Sequence, residues 1–589
     1  MTSAVMTQTD RPRLILAPRA VAIRALRLGI IAGAVIIYLA AIGIIEQFEA
    51  RDVITGVLTL GLLAAALVLL IAGRRAGQSW RAGAEPLTRP VSLLGGAIAG
   101  AAGGAVFGLF IAFAWNVDVR WIFPSVTPAL VEIVSLGLSP GVAAVAYIPA
   151  GALIGLLGAS PVLLPRTIAR TIIASLLAVL LFSLMEPMLR VVLLQLQLRD
   201  IAGWIYQSGG LTFGGAALAL VTVGAVTYLR ETRGAAVRTR LDVLPRRQRT
   251  GLLSIAAFLL LAFLLILPQL MGVFLSEVVG TVGLFLLMGL GLNIVVGYAG
   301  LLDLGYVAFF AVGAYTTALL TSPASALALA LPFWAILPIV MLVAAIFGIL
   351  IGAPVLRLRG DYLAIVTLGF GEIVRILLLS DALRPWFGGA QGILSVPAPG
   401  LGITRDPQSL YYPILFFCIL GAFIAWSLAR SRVGRAWAAM REDEDVAQAT
   451  GINTTKFKLL AFAIGAVFGC VAGAFLAVKL GSVFPHRLDL LVSITTLSLI
   501  ILGGMGSIPG VVVGAFVLVG LPELLREFAE YRLLIYGAVL VAMMILRPEG
   551  LIPNVARQRE LHEEEPIEPS PGVAIATDGG SPAAEGGRA

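Results

Sequence analysis

Long apolar runs follow one another from Leu28 almost to the C-terminus, many of them 18 residues or more without a charge. A stretch of that length crosses the hydrocarbon core of a bilayer as an α-helix. The other spanning structure, a β-barrel, needs strands of about ten residues with alternating polarity, and these runs do not alternate. Composition agrees: 59% of the 589 residues are apolar and 13% are charged, whereas an average soluble domain carries about 25% charged residues. Water-soluble, disordered and fibrous classes are excluded, because no soluble globule hides that much apolar surface. The expected fold class is an all-α polytopic membrane protein with about 16 transmembrane segments.

The formal charge of +8 is 41 basic residues less 33 acidic ones. All but Lys456, Lys458 and Lys479 of the basic residues are arginines. In a membrane chain this excess belongs on cytoplasmic loops, so it does not point to nucleic acid. Cys418, Cys470, His486 and His562 are scattered, and neither a disulfide framework nor a metal site is expected. No cleavable signal peptide is evident, since a basic stretch precedes the first apolar run and many more runs follow.

Charge divides the chain into blocks. A basic N-terminus (1–27) precedes six apolar segments at roughly 28–45, 53–73, 92–115, 142–160, 167–195 and 211–229. Loops 74–90, 162–170 and 230–250 carry four, two and seven arginines, whereas loops 46–52, 116–141 and 196–210 carry one each. This alternation places the N-terminus and the Arg-rich loops in the cytoplasm. The expected organisation is a membrane extension of unknown role (28–229), a basic cytoplasmic linker (230–250) and a second membrane block (251–547). The second block holds about ten segments, some of them half-helices. The tail (548–589) is cytoplasmic and too poor in apolar residues to fold. There is one internal echo: GLLDLGYVAFFAVGAY at 300–315 and GMGSIPGVVVGAF at 504–516 are both glycine-interrupted. Paired broken segments mark the path of many transporters, although Gly and Ala are common throughout this chain.

The segment GRAWAAMREDEDVAQATG, Gly434 to Gly451, lies between two apolar spans. Arg435, Arg441, Glu442, Asp443, Glu444 and Asp445 enter lipid only at high cost. The alanines, Ala447 among them, favour helix. Gly451 suits a helix C-terminal stop, and Asn453 or Thr454 suits the cap of the next span. The segment is expected to be one short helix at the cytoplasmic surface. It is either the element that a permease presents to an ATPase or an ordinary solvated loop helix.

Within the second block, Gly297, Gly300, Gly305 and Gly313 permit a broken helix or close backbone approach. Asp303 sits in such a break, as a polar wall or hinge of a path or as a helix cap at its mouth. Asn293, Thr367, Glu372, Thr495, Thr496 and Ser498 are further polar groups in apolar spans, each suited to a zwitterionic solute or simply to a backbone carbonyl. Gly503–Gly510, which includes Gly504 and Gly506, is expected to be a tight turn. Arg359 and Asp361 read as a snorkelling Arg and a capping Asp. In the extension, Gly96, Gly100, Gly104 and Gly108 form a GxxxG ridge for close helix packing, within the block or onto a partner. Glu186 and Arg190 are spaced to pair, with Pro187 breaking the span between them.

No P-loop, nucleophile elbow, H-E-x-x-H or C-x-x-C motif occurs in the chain. No catalytic residue, metal or cofactor is therefore assigned to it, and it is not expected to be an enzyme.

Residues 281–553 resemble the permeases of branched-chain amino acid ABC importers, specifically the LivM type. The matching residues begin with Gly291-Leu292-Asn293, Gly297, Gly300-Leu301, Leu304-Gly305, Phe309-Phe310 and Gly313-Ala314-Tyr315. They continue with Arg359-Gly360-Asp361-Tyr362, Thr367-Leu368-Gly369, Gly388-Gly389, Gly392-Ile393, Gly434-Arg435-Ala436, Glu442-Asp443 and Gly451-Ile452-Asn453. They end with Gly503-Gly504-Met505-Gly506-Ser507, Gly510, Gly514-Ala515 and Arg547-Pro548-Glu549-Gly550-Leu551. Phe387 stands where family members often have Thr, and the first 250 residues have no counterpart in the usual member.

The resemblance implies a multi-pass permease of the bacterial inner membrane with cytoplasmic N- and C-termini. It implies as partners two ABC ATPase subunits, which use the ATP, a homologous second permease and a periplasmic amino-acid-binding protein. It places ATPase coupling on 435–451 and makes the glycine-rich breaks candidate hinges. A urea or short-amide importer uses a closely similar permease. A self-contained secondary transporter or channel is the reading from another class, but the intramembrane acids and histidines of a coupling-ion site are sparse here.

Overall fold

The structure, a computed structural model, describes residues 18–81, 89–207, 209–243, 246–355, 358, 360–524, 534, 537, 541, 543 and 550–552. Residues 1–17, most of the last expected span (533–546), Arg547-Pro548-Glu549, the tail from 553, and Arg359 with the Asp361 side chain lie outside this description. Contacts divide the chain into two compact units, Met1–Gly272 and Val273–Ala589. Each is described by itself.

In the first unit, α1 (Pro18–Ala41), the short α2 (Ile44–Glu49), α3 (Leu60–Arg81), α4 (Arg89–Asn116), α5 (Pro128–Ser135) and α6 (Pro140–Ala159) form one bundle. The predicted glycine ridge works inside it. Gly96 faces Gly155 and Ala159, Gly100 faces Gly151, Gly104 faces the Tyr147 carbonyl and Gly108 the Ala144 carbonyl, so α4 and α6 meet backbone to backbone. In lipid, where no hydrophobic force drives helices together, such close van der Waals approach is the adhesive.

The remaining helices are α7 (Arg166–Leu184), α8 (Glu186–Gln195), α9 (Arg199–Ile205) and α10 (Phe213–Val243). The span breaks at Glu186-Pro187 as expected. Arg190 Nη1 lies 3.5 Å from Glu186 Oε1. A second cation, the buried Arg51, lies 3.7 Å from Glu186 Oε2; nothing local in the sequence announced it. Four short strands, β1 (Asp52–Ile54), β2 (Leu58–Thr59), β3 (Tyr206–Gln207) and β4 (Gly210–Leu211), form a small sheet in the order β2-β1-β4-β3. It ties two interhelical loops together.

The helix α11 (Arg246–Leu292) runs across the division between units, and its helical geometry is interrupted at Gly272 (φ 73°, ψ −173°). In the second unit it passes into a π-helical turn, Asn293–Tyr298. Then come α12 (Val307–Thr321), α13 (Phe333–Val355), α14 (Asp361–Leu379), the short α15 (Arg384–Phe387) and α16 (Pro407–Arg430). They are followed by α17 (Arg432–Glu442), α18 (Glu444–Ala449), α19 (Thr454–Leu480), α20 (Leu490–Gly503), α21 (Ile508–Ala515) and α22 (Leu521–Leu524). The spans Gly272–Tyr298 and Thr454–Leu480 are each 72% buried, against 28–39% for the other four long spans of this unit. They are therefore its centre. α12 and α13 pack on α19, with Gly313 against the Cys470 backbone and Gly473 against the Phe310 carbonyl.

Among the described residues twelve helices are long and apolar enough to cross a membrane, six of them beginning before residue 230. Three more apolar helices are shorter: Phe258–Leu270, Val307–Thr321 and Ile508–Glu523. The chain is an all-α multi-pass membrane protein, and the expected half-helices account for most of the difference between twelve and about sixteen.

Candidate translocation and coupling site

The site is built around the broken end of α11. A π-helical turn places one extra residue in the helix and misaligns the backbone ladder, a form common at functional positions. Here Leu301 N donates to the Val295 carbonyl rather than to that of Gly297, and Arg441 Nη1 donates to the Gly297 carbonyl at 2.9 Å. Gly300 follows with φ +72°, a left-handed conformation that L side chains rarely adopt. A Cβ at Gly300 would also stand 2.9 Å from Arg441 Cγ. The arginine of the 434–451 segment thus lies across the break.

On the other side of the turn, Asn293 is fully buried and its Oδ1 accepts from the Gly506 N–H at 2.8 Å. A Cβ at Gly297 would lie 2.7 Å from that same nitrogen. Gly504 lies in the turn between α20 and α21, against Gly550. Leu551 N donates to the Leu502 carbonyl at 2.8 Å and Ile552 N to the Gly503 carbonyl at 2.9 Å. The two echoing segments therefore take the same form, a break followed by a short apolar helix, and Asn293, in the turn that precedes the first, bonds to the second.

Asp303, buried, accepts through Oδ1 from the Gly305 N–H at 2.9 Å. It stabilises the turn that starts α12, as an Asp does in a local side-chain-to-backbone turn. Thr367 Oγ1 accepts from Leu304 N at 3.0 Å and donates to the Ala364 carbonyl at 3.0 Å. A Cβ at Gly305 would run into the Thr367 carbonyl. Thr496 bonds the Val492 carbonyl at 2.7 Å, while Thr495 and Ser498 are half-buried. Glu372 is ion-paired with Arg375 on α14, with Nε at 3.0 Å from Oε1. Its side chain is 41% exposed, so it stands apart from the buried cluster. Gly313 lies in the α12–α19 contact, also away from the break.

The 434–451 segment is two helices, where one was expected. Asp443 separates them in an extended conformation, and its Oδ1 accepts from Asp445 N at 2.9 Å and Val446 N at 3.0 Å, capping α18. The residue that reads as one more helix charge is a better N-cap than helix interior. Ser431 caps α17 in the same way. At the other end Gly451 takes φ +92° after α18, and Asn453 Oδ1 accepts from Lys456 N at 3.0 Å, as the sequence predicts.

Both helices are fixed to the start of α19. Trp437, fully buried, donates to the Phe457 carbonyl at 2.8 Å. Glu444 lies 2.6 Å from the buried Lys458 Nζ, and Ala447 is buried. Arg435, Glu442, Asp443, Asp445 and Val446 remain exposed.

Three partners escaped sequence reading. Ser493 Oγ accepts from the Val307 N–H at 2.8 Å. Tyr306 donates to the Gly465 carbonyl at 2.6 Å. Lys479 Nζ lies 3.1 Å from Glu277 Oε1 and 2.6 Å from Thr281 Oγ1. The neighbouring Thr495, Thr496 and Ser498 were a signal for Ser493; nothing flagged the other two. Phe387, the departure from the resembled family, packs edge-on against Tyr315 with ring centroids 5.7 Å apart. Among the described residues no His/Cys/Asp/Glu group could hold a metal ion.

A helical multi-pass unit whose central span is broken, with a capped helix pair lodged against the break, is an architecture suited to a membrane permease, and the comparisons with known proteins give that class. The family model described as "Branched-chain amino acid transport system / permease component" matches residues 274–546. The chain is 44% identical over 303 residues to the high-affinity branched-chain amino acid transport system permease protein LivM of Salmonella typhimurium, covering 47% of this chain and 70% of that one. The LivM protein of Escherichia coli matches to the same extent. The E. coli permease protein LivH is 32% identical over 148 residues, 25% of this chain and 47% of LivH. No solved structure matches the chain. The chain belongs to the branched-chain amino acid transport permease family.

Proposed function

We propose that this chain is the membrane-spanning permease subunit of an ATP-driven importer of branched-chain amino acids. The observation that carries the reading is the bond from Arg441 to the Gly297 carbonyl. It joins a surface-exposed charged helix pair directly to the one π-helical break among the described residues of the central spans.

On this reading, α17 and α18 seat their exposed face, Glu442, Asp445 and Val446, in a groove of a partner ATPase. Val446, 58% exposed next to Asp445, is the apolar contact of that face. Trp437 and the Lys458–Glu444 pair hold the helices rigidly on α19, so movement of the ATPase reaches the break without being absorbed. The break, with Asn293, Gly297, Gly300, Asp303, Gly305, Gly504 and Gly506, is the hinge between outward- and inward-open states. ATP is hydrolysed by two separate subunits, a homologous second permease completes the path, and a periplasmic binding protein delivers the substrate. The chain lies in the bacterial inner membrane among its lipids, with both termini in the cytoplasm.

The test is purification of the tagged chain from native membranes in mild detergent, followed by reconstitution of the recovered complex in vesicles. Recovery of P-loop ATPases, and ATP-dependent uptake of labelled leucine, isoleucine or valine, is the expected result. Uptake of urea or a short amide in place of these would overturn the substrate. Recovery of this chain alone with ATP-independent transport would overturn the class.

A further inference from the structure

The first unit carries a cavity of about 350 Å³ lined by Arg74, Gln78, Val162, Arg166, Arg170 and Ile173 among others. Its walls are the end of α3, the connection after α6 and the first turns of α7. Three arginines line it, Arg74, Arg166 and Arg170, and Glu231 Oε1 lies 3.2 Å from Arg170 Nη1. Among the described residues Arg74 and Arg166 have no carboxylate partner within ion-pair distance. Among the described residues the lining therefore carries more cationic than anionic charge. Arg166 also opens α7, a 19-residue helix, whose free N–H groups add positive potential on the same side.

Exposed apolar side chains follow the lining residues along the same two helices. Ile71 stands one turn from Arg74 along α3, and Leu177 one turn from Ile173 along α7; they are 50% and 55% exposed. An ion dissolved in water gains nothing from such neighbours, whereas a lipid does: a phosphate at the arginines and acyl chains beside Ile71 and Leu177. The cavity lies at the end of the unit that the arginine distribution assigns to the cytoplasm, where anionic lipids meet basic pockets between helices.

We propose that this cavity is a binding site for an anionic phospholipid, with Arg74 and Arg166 on its phosphate and Gln78 as a further donor. The Arg170–Glu231 pair forms the wall of the site. The site gives the membrane extension a role as a lipid-responsive platform, independent of what the second unit transports.

The test is native mass spectrometry of the full chain in detergent with phosphatidylglycerol or phosphatidylcholine of the same chain length. The expected result is retention of phosphatidylglycerol on the order of 10-fold above phosphatidylcholine. Arg74→Gln with Arg166→Gln should abolish the preference, and Arg120→Gln, on an exposed loop, should leave it intact. Equal retention of the two lipids, or an undiminished preference in the double variant, would overturn the proposal. Complete displacement of the lipid by inorganic phosphate at the lipid's own concentration would also overturn it, by showing that the site reads the free anion. If the double variant fails to fold, the preference of the unaltered chain and its competition with phosphate decide the matter.

Discussion

Arg441 and Gly297 are 144 residues apart in sequence, and the arginine of α17 donates to the glycine carbonyl at 2.9 Å. A hydrogen bond from a charged donor contributes about 1.5–3 kcal/mol. It also relieves a carbonyl that the π-helical turn leaves poorly served by its own helix. The bond therefore stabilises the break and ties it to the α17–α18 pair.

Arg441→Ala should leave the complex assembled and lower substrate-stimulated ATP hydrolysis at least ~10-fold, the equivalent of about 1.4 kcal/mol. Hydrolysis in reconstituted vesicles, with and without the loaded binding protein, measures this. Unchanged stimulation would separate α17 from coupling.

Gly297→Ala puts a methyl 2.7 Å from the Gly506 nitrogen and against Asn293 Oδ1. Overpacking of this kind costs about 1–3 kcal/mol, so thermal unfolding in detergent should come several degrees earlier. Gly369→Ala in α14, where a Cβ meets nothing within 4 Å, should be neutral or stabilising, since Ala is the better helix former.

Thr367→Val keeps shape but removes the acceptor of the Leu304 N–H and the donor to the Ala364 carbonyl. A buried donor left unsatisfied costs about 1–3 kcal/mol. Serine at the same position should recover most of the loss, and a Thr367→Ser chain as unstable as the valine variant would count against this account.

The acids of the 442–445 segment have separable roles. Asp443→Asn preserves a good N-cap and should leave α18 intact. Asp443→Ala should loosen α18 by about 0.5–2 kcal/mol, seen as faster amide hydrogen exchange over 444–449. Glu442→Arg, on the exposed face, should weaken ATPase binding without altering that exchange pattern. Equal ATPase affinity for Glu442→Arg and the unaltered chain would remove the docking face.

Gly100→Leu should disrupt the α4–α6 contact, because Gly100 meets the Gly151 backbone directly. The expected readout is earlier proteolysis within the first unit. Gly141→Leu, where a Cβ meets nothing within 4 Å, is the matched control.

Much of this molecule was legible before folding. Apolar length is a local property, so the six spans of the first unit and most of those in the second could be counted directly. Caps and breaks are equally local: Gly451 ends α18, Asn453 starts α19 and Pro187 separates α7 from α8. The site residues were partly visible, because buried polar groups and glycines in apolar spans are conspicuous. Their partners were not. Asn293 meets Gly506 across 213 residues and Val307 meets Ser493 across 186. Glu372, as conspicuous as the rest, pairs with Arg375 one turn along its own helix instead. The division of contacts at Gly272 follows the same logic, whereas the splitting of the 434–451 segment is a local effect, the Asp443 side chain capping α18 two and three residues on. Hydropathy and capping are settled within one or two turns of chain, whereas partner choice depends on which backbones approach closely enough. That approach is set by the combined packing of glycines on helices far apart in sequence, and no local pattern encodes it.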